Sequence, residues 1–405
     1  MMLIVSCSPS KAPGGWIQLD TETGDAFYSV NFVNESTGWL NGNTDRSSEV
    51  LDENGNANGN SRPRKADEKK GEKEDPLKAN QGYEVLQTTD GGQSWRQIPD
   101  QFKHKIRSVW FVTPERGWAL TIDRDILATT DGGLTWSLQR KAGTVKLKLF
   151  GQRRQPEMEQ PEQIDELFFI DEQYGWVWGG GRKDQYAEQP GIMLVTVDGG
   201  QNWNSVPFPF EQNVSDIFFL DRTSAWASSL EGALYRTTDG GLNWTKIQTK
   251  LPEDVFRSLF FVDENSGWGV GRTGRIAKTE DGGRTWMKIY KIKDQFKMRD
   301  IFFTDKNHGW AVGENGAILY TPDAGESWLN ASAVVPYQLT KIVFISNQAG
   351  FAAGLGGAIL KYDADGNCTG ADRHPICELE HQSNCVESKA ISASRLKMSI
   401  LRIRG

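Results

Sequence analysis

The chain has 405 residues, 24% of them charged and 38% hydrophobic, a balance that excludes wholesale disorder and a multi-span helical membrane protein. Its net charge of −7 argues against a broad nucleic-acid-binding surface, though not against a local basic patch. Four cysteines, Cys7, Cys368, Cys377 and Cys385, are too few for a disulfide scaffold and lack zinc-site spacing.

The N-terminal apolar run, residues 1–5, leads into Ser6 and Cys7. Ile4-Val5-Ser6-Cys7 resembles a bacterial lipobox, in which the cysteine is lipidated and becomes the mature N-terminus. Residues 1–7 are read as a lipoprotein-like signal remnant, with Cys7 as the lipidation site of an extracytoplasmic, membrane-anchored protein. The alternative is an ordinary cysteine in a frayed terminus.

From residue 28 onward one pattern repeats. An apolar strand ends in Phe, and six residues later comes Gly-Trp or a variant: Phe32/Trp39, Phe111/Trp118, Phe169/Trp176, Phe219/Trp226, Phe261/Trp268, Phe303/Trp310 and Phe344/Phe351. A short β-like run follows, then a Thr-x-Asp-x-Gly-x-x-Trp box whose aspartates are Asp90, Asp131, Asp198, Asp239, Asp281 and Asp323. Their spacings of 41, 67, 41, 42 and 42 residues give a unit of about 42 with one insertion. Each unit reads as four strands. In the sixth they are 298–303, 310–313, 317–321 and one beginning at Trp328, with a tight turn at Glu314-Asn315-Gly316. Seven such units predict an all-β fold, a seven-bladed β-propeller over residues 16–365. The seventh unit lacks a box Trp and a fourth strand, whereas Trp16-Ile17-Gln18-Leu19 matches the fourth strands Trp95-Arg96-Gln97-Ile98 and Trp244-Thr245-Lys246-Ile247. Residues 16–19 are therefore expected to complete the last blade.

The boxes resemble the Asp-box, or BNR repeat, of sialidases, other glycoside hydrolases, sortilin-type receptors and photosystem assembly propellers. Two copies carry Asn for the second Thr, at Asn202 and Asn243. A short Asp accepts bonds from the N–H groups of its own turn, so the six aspartates are assigned a structural role. Six equivalent carboxylates around a ring cannot converge on one substrate. Asp363-Ala364-Asp365-Gly366 opens like a calcium loop, but its twelfth residue is His374 rather than Glu, so neither a metal nor any other cofactor is expected.

Strand direction sorts the loops onto two faces. The Gly-Trp and Asp-box turns share one face; the second-to-third-strand turns and the blade-to-blade crossings share the other. The insertions 43–82, 141–162 and 180–190 all fall on the latter. So do basic residues: Arg107, Arg257 and Arg299 open equivalent first strands, Lys103, Lys105 and Lys297 lie in crossings, and Arg124, Arg272 and Arg275 lie in turns. Blades 3 and 4 offer Asp165, Glu166 and Asp216 instead. The basic arc suits an acidic or carboxylate-rich partner; the alternative is solvated loop charge. Segment 43–82, with 8 basic and 9 acidic residues, is expected to be disordered, and 366–405 to be a poorly ordered tail.

The core from Gly309 to Thr321, Gly-Trp-Ala-Val-Gly-Glu-Asn-Gly-Ala-Ile-Leu-Tyr-Thr, resembles the photosystem II assembly and stability factor family of cyanobacteria and chloroplasts. Blades 2 and 5 are similar to it too. The resemblance implies a non-enzymatic seven-bladed propeller at the lumenal side of thylakoids; together with the lipobox, a lipid-anchored monomer in the thylakoid lumen, periplasm or at the cell surface is expected. Its arginines would hold a protein client such as a photosystem II reaction-centre subunit, which points to Arg107, Arg257, Arg299 and Arg275. Two rival readings stay open. One is an Asp-box glycoside hydrolase, for which neither an Arg-Ile-Pro element nor a Tyr–Glu pair is found. The other is a surface interaction propeller with an unrelated partner.

Overall fold

Apolar runs of four to eight residues, broken by Gly, Asn and Asp turns, leave each repeat one low-energy choice, a meander of antiparallel strands. The computed structural model describes residues 14–19, 26–43, 84–98, 105–149, 158–183, 187–189, 191–208, 214–230, 232–249, 256–271, 273–291, 297–332 and 335–364. Within them, eight four-stranded sheets form. Seven are the blades. Blade 2 is representative, with strand a at Ile106–Phe111, b at Gly117–Thr121, c at Ile126–Thr129 and d at Ser137–Arg140. The a strands neighbour one another from blade 4 through blades 7 and 1 to blade 3, so they line the central channel. The expected boundaries in blade 6 hold to within a residue or two: Met298–Phe303, Gly309–Gly313, Ile318–Thr321 and Leu329–Asn330. The Glu314–Gly316 turn is a single 3-10 turn with Asn315 at φ 56°. Among the described residues no helix is long and apolar enough to cross a membrane. Cys7, the 44–83 segment and residues 365–405 lie outside the described residues.

The constant Phe-to-Gly offset has a packing cause. Phe111 and Gly117 are direct cross-strand partners, as are Phe32 and Gly38, and the Phe ring lies flat on the glycine. A Cβ on Gly117 would sit 2.4 Å from the ring. The next residue, Trp, then reaches the neighbouring blade. Trp39 stacks on Phe111 at 3.6 Å, Trp118 on Phe169 at 3.6 Å and Trp268 on Phe303 at 3.6 Å. The box Trp of that neighbouring blade meets the same Phe edge-on, as Trp136 meets Phe111 at 6.0 Å. In five of these Trp the indole N–H also donates to the carbonyl of the first turn residue in the next blade's box. Trp39 bonds Gly132, Trp118 Gly199, Trp176 Gly240, Trp226 Gly282 and Trp268 Ala324, at 2.8–3.4 Å. A stack and a buried hydrogen bond at each seam are together worth about 1–3 kcal/mol beyond the area buried.

The two seams without a full motif are closed by substitutes. Strand Gly15–Leu19 pairs antiparallel with Ile359–Asp363 and becomes the outer strand of blade 7. Trp16 meets Phe344 edge-on at 6.0 Å and 83°, the geometry of a box Trp, and touches Trp310 at 5.6 Å. Where blade 7 has Phe351 instead of Trp, Phe351 still stacks on Phe32 at 3.7 Å. The missing donor is replaced by Lys361, whose Nζ bonds the Gly91 carbonyl at 3.0 Å.

The eighth sheet was not foreseen from the sequence. The two blade-3 insertions, far apart in the chain, pair with each other: Met158–Pro161, Thr144–Leu149, Ala187–Gln189 and Arg182–Lys183, in that order. Glu162, 2% exposed, anchors this unit through a two-pronged ion pair with Arg140 of blade 2.

All six box aspartates are saturated by their own turn. Asp131 Oδ1 accepts from Thr129 Oγ1 at 2.8 Å and the Thr135 N–H at 2.8 Å, and Oδ2 accepts from Thr135 Oγ1 at 2.5 Å. Their carboxyls are held below the ordinary range; for Asp90 the Ser94 hydroxyl and N–H are the main cause, and its pKa falls from 3.8 to about 2. A carboxylate depressed on folding stabilises the protein above its unfolded pKa and loses that contribution as pH falls through the folded one. Thermal melts should therefore drop steeply between about pH 4 and pH 2, and a flat profile there would contradict the assignment. Trp16→Ala should destabilise the whole propeller by on the order of 3 kcal/mol in denaturant unfolding; an unchanged midpoint would mean that residues 15–19 do not close the ring.

Candidate functional site

A single backbone irregularity builds the mouth of the channel. Near the start of strand a the register against strand b slips by one residue in blades 1, 2, 4, 5, 6 and 7. A residue left over in this way is re-aimed out of the sheet. The skipped residues are Tyr28, Arg107, Ser215, Arg257, Arg299 and Thr340. Asp165 holds the place in blade 3, its N–H bonded to the Trp178 carbonyl at 2.9 Å. This is the alignment expected from the sequence. Because strand a starts at the face carrying the b–c turns, the rim shares that face with Arg124, at φ 69° in the blade-2 turn, and with Arg275, which opens strand c of blade 5. Lys105 and Lys297 immediately precede strand a of blades 2 and 6, and their carbonyls accept the Ile122 and Glu314 N–H groups. Arg272 and Lys103 lie outside the described residues.

The basic and acidic rim residues are not segregated as the sequence suggested. Asp165 Oδ1 lies 3.1 Å from Arg107 Nη2 and 3.3 Å from Arg124 Nη1. Arg107 Nε also donates to the Asp165 carbonyl at 3.2 Å, and Arg124 Nη2 to Gln163 Oε1 at 3.1 Å. Arg299, 14% exposed, approaches Glu314 Oε1 at 3.5 Å. Adjacency of blades 2 and 3 brought Arg107, Arg124 and Asp165 together, whereas Arg299 and Glu314 meet within blade 6.

One register step deeper lies a second ring that sequence reasoning only touched: Ser29, Ser108, Glu166, Asp216, Ser258, Asp300 and Lys341. Several of its members tie neighbouring blades together. Asp216 Oδ2 accepts the Leu259 N–H at 2.7 Å. Asp300, 3% exposed, accepts from Ser258 Oγ at 2.7 Å, the Ile342 N–H at 2.9 Å and Lys341 Nζ at 3.3 Å. Desolvation pushes the Glu166 carboxyl up, against the pull of Arg107 and Lys341, and raises Asp216 to about 6. Burial opposes the Lys341 ammonium, but Asp300 and Asp216 outweigh it and drive its pKa upward. Below this ring comes an aromatic collar, with Trp110–Phe168 at 4.9 Å, Phe218–Phe260 at 5.0 Å and Phe260–Phe302 at 4.9 Å. The strand-a column that marks Arg257 and Arg299 would have yielded both deeper rings, read one and three residues further on.

Chemically, the channel mouth offers guanidinium groups above carboxylates that are mostly spent on blade seams. The box aspartates Asp90, Asp131, Asp198, Asp239, Asp281 and Asp323 lie on the opposite face, each bonded within its own turn. Among the described residues, no group of three or more His, Cys, Asp or Glu side chains is arranged to hold a metal ion.

With this geometry in hand, the chain can be set beside known proteins. Photosystem II stability/assembly factor HCF136 of Arabidopsis thaliana is 29% identical over 134 residues, 32% of this chain and 28% of that protein. Photosystem II assembly lipoprotein Ycf48 of Synechococcus sp. (strain CC9902) is 28% identical over 162 residues, 38% of this chain and 40% of that protein. The matched stretch thus spans less than half of either relative. A solved structure of YCF48 bound to D1 peptide shares the fold, with a TM-score of 0.61 at 20% identity over 88% of this chain and 99% of that one. The family model for the photosynthesis system II assembly factor YCF48 matches residues 87–250, 200–295 and 287–363, together more than half of the sequence. The chain therefore belongs to the YCF48 family of photosystem II assembly factors.

Proposed function

We propose that the protein is a non-enzymatic protein-binding propeller that holds a photosystem II subunit or assembly intermediate against its insertion-bearing face. The observation that carries this reading is the rim itself. One bulged position, repeated around the ring, sets Arg107, Arg257 and Arg299 at the channel mouth, with Arg124, Arg275, Lys105 and Lys297 on the same face. Guanidinium forks match carboxylates in geometry and charge, so the client segment is acidic or ends in a carboxylate. The solved YCF48 was captured with a D1 peptide, which makes that peptide the natural first probe.

The non-enzymatic part rests on where the carboxylates are spent. The box aspartates are satisfied within their turns, and Asp216 and Asp300 hold blades together. On this reading the protein acts as a monomer, a protein rather than a nucleic acid fills the site, and a lipid on Cys7 keeps the propeller at an extracytoplasmic membrane surface. The Synechococcus relative is named a lipoprotein, which supports that anchor.

Titration with D1 peptide tests the reading. Reversing both Arg257→Glu and Arg299→Glu should weaken binding about tenfold or more and flatten its salt dependence; unchanged affinity would overturn it. A second measurement tests the structural role of the channel ring. Asp216 titrates near 6, above the ordinary 3.8, so the folded state holds its proton more tightly. The resulting stabilisation is full below the unfolded pKa and is lost as pH rises through the folded one. Asp216→Asn should therefore reduce the fall in stability between about pH 4 and pH 6 while leaving client affinity intact. Loss of client binding in that variant would instead place Asp216 in the recognition site.

A further inference from the structure

We propose that Asp165 is a built-in competitor: it occupies the Arg107–Arg124 guanidinium pair in the free protein, and a client carboxylate displaces it. This inference rests on the client-binding face proposed above. At the bulged rim position the other blades carry Tyr, Arg, Ser, Arg, Arg and Thr; blade 3 alone carries an acid. One oxygen of that acid is shared by two guanidinium groups of blade 2, at 3.1 Å and 3.3 Å. This is the arrangement that an incoming carboxylate would make for itself.

The carboxylate is not what holds its surroundings in place. Its backbone is fixed by the bond from the Asp165 N–H to the Trp178 carbonyl, by fully buried Ile164 and by the Glu162–Arg140 pair. The two arginines have second anchors: Arg107 Nε bonds the Asp165 carbonyl, and Arg124 bonds Gln163. Both guanidinium groups therefore stay aimed at the mouth when the side chain swings away. Asp165 and Arg107 are 35% and 38% exposed, and a partly exposed ion pair contributes little net energy. Exchanging one carboxylate for another is then close to neutral, so the resident acid lowers affinity without closing the site. It also selects for clients with enough negative charge to engage the Arg257 and Arg299 side of the rim as well.

The test uses Asp165→Asn, which keeps the shape, and Asp165→Ser, which installs the residue that blade 4 carries as Ser215. The full-length protein is titrated with D1 peptide, with a Glu-rich peptide and with its Gln counterpart, at low and moderate salt, after matching melting curves. Both variants should bind the acidic peptides about three- to tenfold more tightly, with a steeper salt dependence, and the Gln peptide no better. Equal or weaker binding by both variants overturns the proposal, because it would make Asp165 a positioning residue or a bystander. The arginine reversals separate the two claims. If those reversals weaken binding while Asp165→Asn does nothing, the face stands and the competitor falls. If Asp165→Asn tightens binding while the reversals are silent, the competitor stands and the blade 5–6 side of the face falls.

Discussion

The interaction on which the rest of this molecule depends is the joint between neighbouring blades. A Trp at the start of strand b stacks on the Phe that ends strand a of the next blade, and its indole N–H caps a carbonyl in that blade's Asp-box. The box turn needs a carbonyl pointing outward, which its left-handed glycines provide: Gly132 has φ 75° and Gly133 φ 95°. The Asp in turn gathers the N–H and hydroxyl groups of the same loop. Left-handed glycine backbone, aromatic stacking and hydrogen bonding thus converge on one contact repeated around the wheel. Where the chain lacks part of the motif, another residue supplies the missing atom group: Trp16 for a box Trp and Lys361 for an indole donor.

Because the joints repeat, the a strands stand in equivalent positions around the channel, and a bulge in six of them, with Asp165 in the same place in blade 3, sets a rim of seven side chains. This is how a rigid all-β scaffold generates a variable face. The residue at the bulge can change from Tyr to Arg to Ser without disturbing the joints, which lie at the other end of strand a. The insertions that build the extra sheet enter on the same side, so elaboration and charge gather on one face while the other is occupied by boxes.

Much of this was legible in the sequence because it is local. The six-residue Phe-to-Gly spacing follows from a cross-strand pair in a short hairpin, the box follows from a turn that closes on itself, and Trp16 reads as a stray fourth strand. The aligned start of strand a placed Arg107, Asp165, Arg257 and Arg299 correctly. What stayed hidden is non-local. The closeness of Asp165 to Arg107 and Arg124 and the sheet made from 144–149, 158–161, 182–183 and 187–189 join segments whose separation along the chain carries no periodic signal. Blades 2 and 3 were given opposite charge characters, whereas the structure brings those charges into contact.

The most direct test of the account is hydrogen–deuterium exchange with and without D1 peptide. The account requires slowed exchange at the starts of the a strands and their crossings, around residues 105–108, 163–166, 256–258 and 297–300, with the box turns unchanged. Protection confined to the box turns, or spread along the outer d strands, would put the client on a different surface and contradict it.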